Sequence, residues 1–305
     1  MRLAILANPA ASGFSGDALR RVTGILRNRY EVDQLWPSAA GGVEATVRSA
    51  IASGAEVVAA MGGDGVAHHA AAALVGTSAT MALIPVGTTN VLARILSIPA
   101  DPVRAADALV SDPRRIDLAV ARVQGSGATG IVDTIATFSA GIGLDADIVR
   151  QAESEPYRKY RLGGLHYLRT TLRTALGSYV GRPASLRVDD GERRANGVAV
   201  LVQVHEPYTY LGPFPLRLAA RSPASLVVLI LEEVAAGRIP QILASLLTGR
   251  RLDAVPGMIV WTGVDRLNVS AEPAMAAQTD GESLGMVDRV EVSYCDRALS
   301  ILVPA

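Results

Sequence analysis

Three glycines in four residues, Gly62-Gly63-Asp64-Gly65, stand between an apolar run (Val57–Ala60) and an alanine-rich stretch (Val66–Val75). The flanks read as a strand and a helix, so the glycines occupy a strand-to-helix turn. Without Cβ atoms such a turn lets a ligand reach the main chain, and the helix start behind it offers unpaired N–H groups with partial positive charge. This is the chemistry of a phosphate cradle in an α/β sheet. Asp64 is out of place there, because a carboxylate repels phosphate unless a cation or a proton transfer accounts for it. A plain alternative stays open at this point: a glycine-rich turn whose Asp64 caps the following helix.

The residues before the turn repeat the same alternation. Leu3–Ala7 reads as a buried strand, closed by Asn8-Pro9-Ala10-Ala11-Ser12-Gly13 and followed by a helix from about Asp17 to Arg29. Glu31–Trp36 and Val43–Ser53 give a second strand and helix, and Glu56–Ala60 the third strand. Met81–Val86 is a fourth strand, closed by Gly87-Thr88-Thr89-Asn90 and followed by helices at Val91–Leu96 and Pro102–Ser111 and a strand at Arg115–Val123. Strands alternating with helices predict a parallel sheet covered on both faces. Loops at the carboxyl edge of such a sheet bring Asn8, Gly62–Gly65 and Gly87–Asn90 toward one crevice.

From about Gly125 the pattern changes to β-type runs separated by turns: Ile131–Ser139, Ala184–Val188, Gly197–Val204, Leu226–Leu231, Met258–Trp261, Leu267–Ala271, Val290–Ser293 and Leu299–Val303. That succession predicts a mostly antiparallel β-sandwich. Helical stretches at Tyr157–Ser178 and Arg238–Thr248 interrupt it. The division therefore falls at 1–125 and 126–305, with the last strand a candidate to return to the first domain. Arg158, Arg161 and Arg169 share half a helical wheel with Leu165, Leu172 and Leu176, which suits either anionic lipid or a core edge covered by arginine stems. Tyr208–Leu216 gathers aromatics beside proline and glycine, as either a lipid-entry lip or a packed connection.

Charge and cysteine content narrow the classes. The chain has 29 basic and 29 acidic residues, so no electrostatic case for nucleic acid arises. Its one cysteine excludes an internal disulfide and any multi-cysteine zinc site, and suits a reducing compartment. Only five apolar residues follow Arg2 before Asn8-Pro9, too few for a secretory signal, and the longest apolar run is strand-sized. These features predict a cytoplasmic protein, with peripheral contact at the inner membrane face as its only membrane association. A homodimer is an expectation with no particular residue behind it.

In this order the motifs resemble the diacylglycerol kinase catalytic-domain family, which includes bacterial lipid kinases and sphingosine kinases. Asn8-Pro9 with Ser12-Gly13 is similar to the family's opening loop, and Gly62–Gly65 to its GGDG turn. Pro85 with Gly87-Thr88-Thr89-Asn90 and Ala93-Arg94 is similar to its next nucleotide loop. Arg115-Ile116-Asp117-Leu118, Gly141-Ile142-Gly143-Leu144-Asp145-Ala146 and Asp280-Gly281-Glu282 complete the set. The resemblance implies an NAD kinase/diacylglycerol kinase-like α/β nucleotide-binding domain, a β-rich lipid-binding domain and an active site between them. It implies transfer of the ATP γ-phosphate to the hydroxyl of a lipid such as diacylglycerol or a sphingoid lipid. By the same carry-over Asn8, Ser38, Gly62, Gly63, Asp64, Gly65, Val66, Gly87, Thr88 and Asn90 hold the nucleotide. Asp64 and Asp117 orient Mg²⁺ through water, and Asp280, or Glu282 beside it, is the general base. Without the resemblance, Asp280-Gly281 reads as an ordinary hairpin turn, Asp117 as a strand-end residue and Asp145 as a helix cap.

The chain also departs from that pattern. Val66 stands where the family has threonine, His69 where a glutamate is frequent, and Val91 where an aspartate joins the magnesium network. Arg221-Ser222-Pro223-Ala224-Ser225 lacks the paired Asp-Gly of a structural magnesium loop, so none is expected in the second domain. Adjacent histidines point about 100° apart on a helix, so at most one of His68 and His69 faces the turn. Two other readings follow: a catalytically attenuated nucleotide- or lipid-binding protein of the same fold, and, fitting less well, NAD kinase.

Overall fold

The computed structural model describes residues 1–37, 42–127, 130–154, 175–219, 224–248 and 252–305. It comprises two compact units, Met1–Ala119 with Asp296–Ala305, and Val120–Cys295. Chain continuity between them runs inside strands: β5 (Pro113–Gly127) carries the chain out of the first unit and β16 (Glu282–Pro304) carries it back. Gly125–Gly127, where the sequence changes character, lies within β5 and pairs with β6 (Gly130–Ala136).

In the first unit, β1 (Arg2–Ala7) pairs in parallel with β2 (Glu31–Leu35) on one side and β3 (Val57–Gly62) on the other. The next strand, β4 (Thr80–Pro85), is parallel to β3, and Ile301 of β16 lies beside Met81 of β4. Every residue of β3 and β4 is buried, which explains their unbroken apolar runs: both faces of a parallel sheet are covered by helices. One face receives α1 (Gly16–Leu26), whose Leu19, Val22 and Leu26 pack with Ala106 and Leu109 of α5 (Pro102–Ser111) against Leu3, Ile5 and Ala59. Burying the leucine, valine and isoleucine side chains among these stabilises the unit by about 1.5–3 kcal/mol each. α2 (Gly42–Ala52) packs with α3 (Asp64–Leu74), whose Ala67, Ala70, Ala71 and Ala73 are small enough for close approach to β3 and β4. β2 has exposed Glu31, Asp33 and Gln34 and half-buried Val32 and Leu35, as a charged edge strand does.

The named strands of the second unit pair antiparallel, and one isolated parallel bridge joins Val180 and Val234. β10 (Ala199–Gln203) lies between β7 (Ser139–Gly143) and β13 (Leu226–Leu231), and β14 (Met258–Val264) flanks β13. β15 (Arg266–Thr279) pairs with β7, with β16 and with β8 (Leu186–Asp189), and β9 (Arg194–Gly197) pairs with β8. α6 (Leu144–Ser154) and α7 (Ile239–Thr248) accompany these strands. The expected strands at Val290–Ser293 and Leu299–Val303 prove to be parts of one strand, β16, which continues through polar Tyr294–Arg297. Tyr208–Leu216 forms a hairpin of β11 (Thr209–Leu211) and β12 (Phe214–Leu216) with Phe214 exposed. Most of the helical stretch expected at Tyr157–Ser178, and Arg221–Pro223 of the expected magnesium-free loop, lie outside the described residues.

Candidate active site

In the first unit the strand order places β2 on one side of β1 and β3 on the other, so the connections diverge between β1 and β3. Ligands of open α/β sheets bind at that divergence, beyond the carboxyl ends of the strands. Three loops meet there. The Asn8 N–H donates to the Met61 carbonyl at 3.1 Å, and the Asn8 Oδ1 accepts the Ala10 N–H at 3.0 Å, which bends the chain sharply after β1. The loop then reaches the end of β4, where the Gly13 N–H donates to the Val86 carbonyl at 2.8 Å and the Ser12 and Thr88 hydroxyls lie 3.0 Å apart. Asn8, Gly62–Gly65 and Gly87–Asn90 are thus neighbours, as the strand-edge argument expected.

Glycine is required here for measurable reasons. A Cβ on Gly87 would lie 2.5 Å from the Gly63 Cα, and a Cβ on Gly62 would lie 2.6 Å from the Val66 Cβ. Asn90 sits in the left-handed region at φ 50° and clasps its own loop, its Oδ1 accepting the Gly87 N–H at 3.1 Å and its Nδ2 donating to the Gly87 carbonyl at 2.8 Å. The side chain expected to line a nucleotide therefore also shapes the loop. Gly62, Gly63, Asp64, Pro85 and Asn90 border a cavity of only about 10 Å³, room for about one water. A space of that size does not enclose a nucleotide.

The residue capping α3 is Gly63, and Asp64 is the first residue of the helix. Asp64 is half-buried, and a carboxylate in a first helical turn is favoured by the helix dipole. The capping account of Asp64 is therefore replaced by a first-turn acid. Val66 and Val91 are buried. His68 is buried and stands edge-to-face with His69, whose Nδ1 lies 3.3 Å from Glu44 Oε1 of α2. Burial raises the Glu44 carboxyl pKa, but hydrogen bonds from Arg48 and His69 outweigh it and hold the group below its usual range.

Asp117, expected as a magnesium partner, lies on β5 with other partners. Its Oδ1 accepts from the Ser300 hydroxyl at 2.8 Å and its Oδ2 from Arg297 at 3.3 Å, and these two neighbours lower its pKa. Among the described residues no group of three or more His, Cys, Asp or Glu side chains could hold a metal ion. Ser38 lies outside the described residues.

In the second unit Asp280-Gly281 is a hairpin turn between paired Thr279 and Glu282, with both turn residues at positive φ, 53° and 86°. Asp-Gly is the dipeptide that tolerates this type I′ geometry. Yet the Asp280 side chain is buried, which an ordinary turn does not require. Its Oδ2 accepts from the Thr137 N–H at 2.7 Å and hydroxyl at 2.9 Å, and its Oδ1 from the N–H groups of Phe138 at 2.9 Å and Ser139 at 3.1 Å. Four donors fill the acceptor sites of one carboxylate. Glu282, two residues on, is half-buried.

Beside this turn lies a cluster that the sequence did not disclose. Asp145 Oδ2 accepts from the Tyr208 hydroxyl and from Gln278 Nε2, each at 2.6 Å, while Gln278 Oε1 accepts the Gly281 N–H at 2.8 Å. Burial pushes the Asp145 carboxyl pKa up, against the lowering by Tyr208 and Gln278. Gln278 lies two residues before Asp280 on β15, so strand alternation was the only available clue to it.

Residues 2–121 match the family model of the diacylglycerol kinase catalytic domain. A protein named probable lipid kinase YegS-like from Xanthomonas campestris is 26% identical over 275 residues, 87% of this chain and 84% of its own length. Its namesake from Pseudomonas putida is 40% identical over 81 residues, 26% of this chain and 28% of its own. The crystal structure of a diacylglycerol kinase from Bacillus anthracis matches with a TM-score of 0.76 at 17% identity, covering 99% of this chain and 96% of that one. Yeast NADH kinase complexed with NADH matches with a TM-score of 0.54 at 10% identity, covering 100% of this chain and 83% of its own. The two structures speak for the fold, which is the diacylglycerol kinase/NAD kinase-like fold expected.

Proposed function

We propose, from the premise that residues 2–121 carry a diacylglycerol kinase catalytic domain, that this protein is a lipid kinase moving the γ-phosphate of ATP to a lipid hydroxyl. The acceptor is a lipid of the diacylglycerol or sphingoid class, met by peripheral contact with a membrane. The carrying observation is the meeting of three loops at the carboxyl edge of the parallel sheet, with Gly63 and Gly87 backbone to backbone. Such a cluster offers main-chain donors to a triphosphate without side chains in the way.

The residues divide the work as follows. The N–H groups at the start of α3 and the Gly87–Asn90 loop hold phosphate, and Thr88, tied to Ser12, helps to fix the nucleotide. The metal expected with ATP offsets phosphate charge. Asp64 is the carboxylate of these loops that would contribute to holding Mg²⁺ brought in with the nucleotide. Asp117, engaged with Ser300 and Arg297, is assigned no contact to it. Of the two late acids, Glu282 is the general base for the lipid hydroxyl, because every acceptor position of Asp280 is already occupied. Asp280 is then a positioning residue that fixes the turn carrying Glu282.

Incubation with labelled ATP, Mg²⁺ and a panel of lipids tests the reading: phosphate is expected on a hydroxylated lipid, and label on NAD instead would overturn it. A second reading, nucleotide binding with little turnover, draws on the buried Val66 and Val91 in place of polar family residues. Tight ATP binding with no lipid labelled under any condition would favour it.

A further inference from the structure

The outer face of the second unit's sheet carries two rows of polar side chains in an open depression of about 840 Å³. Register fixes both rows. Across β9, β8, β15 and β16 the first reads Asn196, Arg187, Ser270, Arg289, each residue directly opposite the next. Two residues along each strand, and so on the same face, the second reads Arg194, Asp189, Asn268, Glu291. The residues between them, Val188, Val269 and Val290, face the other way into the core.

The two rows differ in how their charges are matched. In the second row Asp189 accepts from Arg194 at 2.7 Å and from the Gly191 N–H at 2.7 Å, and Glu291 accepts from Ser293 at 3.0 Å with Arg266 at 3.7 Å. Its carboxylates are spoken for. In the first row, among the described residues, neither the Arg187 nor the Arg289 guanidinium has a hydrogen-bond or ion-pair partner. They flank Ser270 from adjacent strands, with their backbones two strand spacings, about 10 Å, apart. Arginine side chains are long enough to meet above the serine hydroxyl, and two cations on one face repel unless an anion lies between them. β5 walls the depression on one side: a Cβ on Gly125 would collide with the Arg289 carbonyl, so glycine there lets the strand lie directly against β16.

We infer that this face is a binding site for a phosphate group, held between Arg187 and Arg289 over the Ser270 hydroxyl. Phosphate suits it because a phosphomonoester carries about −1.5 to −2 charges at neutral pH and accepts the paired N–H groups of arginine in bidentate fashion. Asn196 and Asn268 supply neutral donors to the group esterified to it, and the volume is that of a small-molecule site of about 300–1,000 Å³ rather than of a single ion. A soluble phosphomonoester or the headgroup of an anionic lipid offers the same chemistry. The inference does not depend on the transfer reaction, since none of these residues belongs to the proposed catalytic set.

The full-length protein, its nucleotide site saturated with ADP, is titrated calorimetrically with glycerol 3-phosphate and sedimented with phosphatidylcholine vesicles with or without phosphatidic acid. Binding in at least one assay is expected, weakened at least tenfold by Arg187→Gln and by Arg289→Gln and about threefold by Arg187→Lys, which keeps charge but loses the fork. Arg194→Gln, whose parent is already paired with Asp189, changes binding less than twofold. A response to glycerol 3-phosphate identifies a soluble ligand, and a response to phosphatidic acid vesicles alone identifies a headgroup; both support the site. No response in either assay, wild-type binding by both glutamine variants, or an equal loss in Arg194→Gln would overturn it. Unchanged melting of the exposed variants excludes misfolding as the cause.

Discussion

Two of the chain's three Asp-Gly pairs, Asp64-Gly65 and Asp280-Gly281, use the acid in opposite ways. Asp64-Gly65 opens a helix, where the glycines flanking it clear space and the carboxylate stays half-buried at a loop cluster. Asp280-Gly281 closes a hairpin, where the carboxylate is buried and receives four hydrogen bonds from Thr137, Phe138 and Ser139. The same dipeptide thus puts a half-buried acid in the first turn of a helix in one unit and a buried anchor at a hairpin in the other. Only environment separates the roles. Reactivity should therefore be most sensitive at Asp64 and at Glu282, and stability at Asp280.

The largest expected effect is on turnover. Glu282→Gln should lower kcat by about 10²–10⁴-fold, the range for loss of a general base, with ATP binding unchanged. Lipid kinase assays beside nucleotide titrations check it, and near-normal kcat would return the base to Asp280. Asp64→Asn should cost about 10²–10³ in kcat while leaving the melting temperature nearly unchanged, which steady-state kinetics and calorimetry measure together. Asp280→Asn should do the reverse in emphasis: replacing a buried, fully hydrogen-bonded carboxylate costs about 1.5–3 kcal/mol of unfolding free energy, read from denaturant titration. If Asp64→Asn destabilised more than Asp280→Asn, the contrast would collapse.

Gly87→Ala should weaken ATP binding and destabilise by about 1–3 kcal/mol, since the new methyl group meets the Gly63 backbone at 2.5 Å. The smallest effect concerns Asp145, whose folded pKa burial raises above the unfolded value of about 3.9. The folded state then binds the proton more tightly, so stability falls as pH rises from the unfolded pKa through the folded one. Asp145→Asn should accordingly gain melting temperature relative to wild type as pH climbs above about 4, and a pH-independent difference would count against a raised pKa.

Much of the first unit is legible in sequence because it is local. The strand, turn and helix around Gly62–Gly65 are set by a run of apolar residues, a run of glycines and a run of alanines, each contiguous. The same holds for α5, whose expected and observed bounds coincide at Pro102–Ser111. What escaped notice is long-range. In sequence β16 reads as two strands because Tyr294–Arg297 interrupts its apolar pattern, yet the strand is continuous, with the Tyr294 N–H donating to the Asp265 carbonyl at 2.8 Å. The contacts of Asp145 with Tyr208 and Gln278, and of Asp117 with Ser300, join residues far apart in sequence, and no spacing rule encodes such pairs. Asp280 illustrates both limits: its turn is predictable from two residues, its burial only from Thr137–Ser139 about 140 residues earlier.

The strand beside β4 has a consequence for how the molecule is made. Residues 296–305 complete the parallel sheet, yet the ribosome emits them only after the whole of 120–295. During synthesis the first unit waits with an open border along β4, and a nascent chain arrested within the second unit should be a target for chaperones even though its glycine-rich loops are already translated.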